Sequence, residues 1–71
     1  MTKGWEFRWL TYHYYVGAPD AAMARVYLEK KHPDVAENAP WPIELTEALR
    51  QRLRLADGTV RSGREGSKVQ K

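Results

Sequence analysis

Residues 5–16 read Trp5-Glu6-Phe7-Arg8-Trp9-Leu10-Thr11-Tyr12-His13-Tyr14-Tyr15-Val16, and the fold turns on what they form. Propensity favours a strand, because Trp, Phe, Tyr, Thr and Val fit a pleated, half-buried surface. The parity of the apolar residues argues the other way. Trp5, Phe7 and Trp9 are odd-numbered, whereas Leu10, Tyr12, Tyr14 and Val16 are even-numbered. One continuous strand would need a bulge near Trp9-Leu10 to keep a single apolar face. A helix needs no such break: at roughly 100° per residue, Trp5, Trp9, Tyr12 and Val16 fall on one stripe. Gly17 then stands where a helix C′ residue belongs. The segment is therefore read as a helix, with residues 5–16 as a strand in an α+β fold as the alternative. The helical reading puts Phe7, Leu10 and Tyr14 on a second stripe, nearly opposite the first. A helix apolar on two faces either lies sandwiched or exposes one face to a partner.

Outward from this segment, Gly17-Ala18 reads as a turn. Residues 19–31, Pro-Asp-Ala-Ala-Met-Ala-Arg-Val-Tyr-Leu-Glu-Lys-Lys, read as a helix. Pro19 suits its first position, Asp20 its positive end, and Lys30 and Lys31 its negative end. Met23, Val26, Tyr27 and Ala22 mark its inner face, and His32-Pro33 stops it. Three prolines make residues 33–42 a connector, with room for a helical turn at 34–38. Pro42 is expected to open a third helix, running to Ala56 and closed by Asp57-Gly58. A small hairpin about Asp57-Gly58 is the competing reading. Residues 59–71 are glycine, serine and charge with few apolar groups, a composition that predicts disorder.

The expected architecture is therefore all-α. It comprises a small three-helix domain over residues 1–58, with a Pro-rich irregular connector, and a flexible basic tail over residues 59–71. Trp5, Trp9, Val26 and Leu49 are expected in its core.

Composition narrows the function. The chain has 71 residues and no cysteine, so it forms one domain and offers neither a disulfide nor a thiolate. No apolar run reaches the ~18–20 residues of a membrane span, and no signal-peptide pattern is legible. A cytoplasmic location is the default expectation. The net charge of +3 is uneven: residues 1–49 hold five Lys/Arg and seven Asp/Glu, whereas residues 50–71 hold seven and two.

His13 and His32 lie in different segments without metal-ligand spacing, so no metal is expected. No phosphate-cradling glycine motif and no nucleophile motif occurs. Glu44 and Glu47 read as helix-dipole partners rather than an acid–base pair. The expectation is a non-enzymatic chain without a cofactor.

Two binding readings follow. In the first, the protein is an interaction module, since Trp, Tyr and Arg dominate interface energetics. Its candidate contacts are Phe7, Arg8, Tyr14, Tyr15 and Trp41. By analogy of size class alone, such a chain fits a phage or mobile-element regulator that inhibits or redirects a larger host enzyme or complex. In the second, it is a nucleic-acid-binding accessory protein. There Arg50, Arg54, Arg61, Arg64 and Lys68 would track a phosphate backbone, aided by aromatic stacking on single strands. The span 20–31 lacks the Arg, Asn or Gln cluster of a base-reading helix.

Overall fold

The computed structural model describes residues 1–64 and shows an α+β fold. Strands β1 (Lys3–Trp9) and β2 (Tyr12–Ala18) are followed by helices α1 (Ala21–Lys31) and α2 (Pro33–Asn38). Next come a two-residue strand β3 (Ile43–Glu44), helix α3 (Glu47–Arg52) and strand β4 (Val60–Arg64). The four strands form one antiparallel sheet in the order β3-β1-β2-β4.

The all-α expectation is therefore overturned, and residues 5–16 are the reason. They form a hairpin, with Leu10-Thr11 as a two-residue turn between Trp9 and its partner Tyr12. The register pairs Trp5 with Val16, Phe7 with Tyr14, and Trp9 with Tyr12. Odd residues of β1 thus share a face with even residues of β2. The parity switch that argued against one strand is what two strands around a short turn produce. The usual signal for such a turn is Asn-Gly or Asp-Gly. Here Leu10 takes the left-handed conformation instead, with φ 59.

One face of the sheet carries Phe7, Tyr14, Val16 and Ala18, all buried, and α1 and α2 contribute Ala24, Leu28, Val35 and Ala36 to the same core. Trp5 and Trp9, expected in the core, pack against it half-buried, and Trp5 Nε1 donates to the Ala18 carbonyl at 3.0 Å. The Tyr14 ring meets His32, at the α1–α2 junction, with centroids 5.0 Å apart.

Helix α1 matches its expected span closely. Asp20 caps it from outside, accepting from the Met23 amide at 2.9 Å. Its inner face is shifted, however: Ala24 and Leu28 are fully buried, while Val26 is 41% exposed. Ala24 lets the helix axis approach the sheet closely, and its i,i+4 partner Leu28 fills the space beside it.

The third helix is much shorter than residues 42–56 would suggest. Ile43 and Glu44 pair with β1 instead, and Thr46 restarts the chain as N-cap, accepting from the Leu49 amide at 3.2 Å. Leu49 is 40% exposed rather than core. The expected boundary at residue 58 also moves. Val60–Arg64, expected in the disordered tail, form β4, because β2 offers them a full edge of backbone donors and acceptors. Residues 65–71 of that tail lie outside the described residues.

A second, smaller core lies on the other face of the sheet. A side chain at Gly4 would meet Leu45 and Arg50, and one at Gly17 would meet the backbone of Leu55 and Ala56. The segment 45–56 thus rests directly on these two glycines, with Leu55 fully buried beneath it. Gly17 is also tied to the segment that follows. Its amide donates to the Thr59 carbonyl at 2.9 Å, and its carbonyl accepts from Gly58 at 2.8 Å.

Candidate nucleic-acid interface

The segment 45–56 covers only the Gly4–Gly17 end of that second face. Beyond it the strand register sets out two rows of side chains. In the first, Ile43, Glu6, Tyr15 and Arg61 stand side by side across β3, β1, β2 and β4. In the second, Arg8, His13 and Gly63 stand side by side across β1, β2 and β4. Helices α1 and α2 lie on the opposite face, against Phe7, Tyr14 and Val16.

Glu6 organises this surface. Its Oε2 lies 2.6 Å from His13 Nδ1 and accepts from Arg8 Nε at 3.3 Å. The Glu6 side chain is 12% exposed and that of Arg8 63%, so the cation stands outermost and the carboxylate lies beneath it. The contact engages Nε of Arg8, and its exposure leaves the guanidinium open to a second acceptor. Tyr15 is half-buried next to His13, with ring centroids 6.3 Å apart. Burial pushes its phenol above the usual value of 10; the Glu6 charge adds to this, and Arg8 opposes it. Tyr15 therefore stays neutral at ordinary pH and presents no charge to an anion. Gly63 borders that ring: a Cβ there would stand in ordinary contact with Tyr15 Cε2, at 3.8 Å.

Trp41 stands at the β3 border of the face. Pro42 is buried while Trp41 and Ile43 are 63% and 58% exposed, so the chain keeps strand-like alternation ahead of β3. Prolonging the β1–β3 register by two residues brings Trp41 level with Arg8.

The structure redistributes the residues singled out from the sequence. Phe7 and Tyr14 are 2% and 8% exposed and belong to the main core, so neither can serve as a contact. Strand alternation turns them inward together with Val16, where a helix would have separated them. Arg8, Tyr15 and Trp41 remain accessible, and Arg61 joins Arg8 and Tyr15 on one face. Arg50 does not. Its guanidinium is held by Glu47 at 2.5 Å and by the Leu55 carbonyl at 3.3 Å, at the covered end of the sheet. Arg54 is exposed in the turn after α3, with φ 56. Arg64 pairs with Tyr12 in the β2–β4 register. Lys68 lies outside the described residues. Glu6, His13 and Gly63 were not legible as members of a surface. The hairpin register, which pairs Glu6 with Tyr15 and Arg8 with His13, would have found the first two, and no local motif marks Gly63.

No protein-family model, curated protein or solved structure matches this chain. The chemistry of the face itself carries the functional reading. Among the described residues, no cluster of three or more His, Asp or Glu is placed to hold a metal ion, and no helix is long and apolar enough to cross a membrane.

Proposed function

We propose that the protein binds nucleic acid on the open half of its sheet, with Arg8 and Arg61 taking phosphates. One observation carries this reading: the strand register gathers two exposed arginines, an imidazole and a neutral phenol on the half of the face beyond segment 45–56. Guanidinium groups suit phosphate because their donors form a planar fork. The low exposure of Glu6 beneath Arg8 and His13 reduces its repulsion of an anion, and the pairing orients both side chains. Arg54, exposed in the turn after α3, adds positive charge to the surface. The protein-interaction reading loses Phe7 and Tyr14, two of its anchors, to the core.

The test is titration of a fluorescein-labelled oligonucleotide at several salt concentrations. Each phosphate contact adds about 0.7–0.9 to the slope of log affinity against log salt. The double variant Arg8→Ala, Arg61→Ala is expected to bind more weakly and to lose roughly 1.5 from that slope. Unchanged affinity and slope in the folded double variant would refute the assignment.

A further inference from the structure

We infer that the strand bound on this face is a single strand, held by an unpaired base stacked on Tyr15. The inference rests on the nucleic-acid reading above and narrows it. Duplex recognition calls for an element that enters a groove, usually a helix or a projecting two-stranded ribbon. Here α1 and α2 lie behind the sheet, the six-residue α3 is seated on the Gly4–Gly17 end with Arg50 held by Glu47 and the Leu55 carbonyl, and the tip of the β1–β2 hairpin carries Leu10 and Thr11 rather than cations. The open surface is instead shallow and only four strands wide, about 14 Å at the ~4.8 Å strand spacing. It suits a strand with its bases turned toward the protein.

Tyr15 is the residue placed to receive one. It occupies the middle of the first row, between Glu6 and Arg61, with His13 beside it and Gly63 at its ring edge. A single Cβ fits there at ordinary contact distance, whereas a branched side chain would rise next to the ring and crowd an incoming base. Arg61, directly cross-strand, and Arg8, one row away, flank the ring on opposite sides. A base on Tyr15 therefore has a cation on either side for its neighbouring phosphates. Trp41, exposed at the β3 border, offers a second aromatic plane at the Arg8 end of the face. Stacking tolerates any base because each has a π-face.

The experiment compares a 12-nucleotide single strand, as DNA and as RNA, with the same strands annealed to their complements. Wild type, Tyr15→Leu and Gly63→Val are measured, with circular dichroism to verify folding. The expected result is tighter binding of the single strand than of either duplex. Tyr15→Leu is expected to lose affinity for the single strand on the order of tenfold, the scale of one stacked base. Its salt slope should not change, because no phosphate contact is removed. Gly63→Val should weaken single-strand binding in the same sense. Duplex binding as tight as single-strand binding overturns the inference and leaves the nucleic-acid reading standing. So does full affinity in folded Tyr15→Leu. Binding of neither form by wild type overturns both.

Discussion

Gly17→Ala tests the claim that the segment 45–56 is seated on bare backbone. The new Cβ would stand 2.7 Å from the Leu55 carbonyl oxygen and 2.9 Å from the Ala56 carbonyl carbon, and nearer still to the Ala56 oxygen. Ordinary C···O contacts begin at about 3.3 Å, so the segment must retreat by roughly an ångström. It has little freedom to do so. Gly17 is paired in the hairpin with Gly4, and its own amide and carbonyl are bonded to Thr59 and Gly58. Overpacking of this kind costs about 1–3 kcal/mol. Each of the two strained hydrogen bonds adds up to about 0.5–1.5 kcal/mol. The expected loss is therefore about 2–6 kcal/mol, centred near 4. A domain of this length has only about 4–11 kcal/mol in total, at ~0.05–0.15 per residue. At the centre of that range the melting temperature should fall by about 16–32 °C, taking roughly 4–8 °C per kcal/mol. Thermal unfolding followed by circular dichroism gives the measurement, with Gly58→Ala as comparison. Gly58 has φ 87 and nothing within 4 Å of its would-be Cβ, so only backbone strain of ~1–2 kcal/mol is expected there. A Gly17→Ala variant within about 0.5 kcal/mol of wild type would refute the close packing.

Two further outcomes concern stability, beside the binding effects of the Arg8, Arg61 and Tyr15 variants. Glu47 is held down from its ordinary 4.5 to about 2, first by the hydrogen bond from Arg50 and then by that from Gln51. Its folded value lies below the unfolded one, so its contribution to stability is present above about pH 4.5 and is lost as pH falls through about 2. A carbon-detected NMR titration of the Glu47 carboxyl should show that low midpoint, and a midpoint near 4 would contradict the Arg50 contact. Leu10 holds a left-handed φ while 74% exposed, so it incurs strain and buries little. Leu10→Asn should raise the urea midpoint by the equivalent of about 0.5–1 kcal/mol, since Asn tolerates that conformation. A lowered midpoint would show that Leu10 contributes packing that its exposure does not reveal.

What was legible in the sequence had local causes. Helix α1 could be placed because its limits are set by neighbours in the chain: Asp20 at one end, Lys30, Lys31 and His32-Pro33 at the other. The proline connector and the helical turn after Pro33 followed in the same way. The hairpin did not, although its residues favoured strands. Its turn lacks glycine and asparagine, and its apolar spacing of four, three and four imitates a helix stripe. Only pairing between strands distinguishes the two readings, and pairing is a relation between distant residues.

The functional face shows the same division. The sequence by itself determined which side chains were available: arginines, a cluster of aromatics, and no cysteine or metal-ligand motif. The tertiary structure decided which of them meet. Phe7 and Tyr14 turned inward because α1 and α2 cover their side of the sheet. Arg61 left the expected tail to stand beside Tyr15, because β2 had an unfilled edge. Backbone hydrogen bonds satisfied across strands, and apolar area buried on one face alone, are what made these choices.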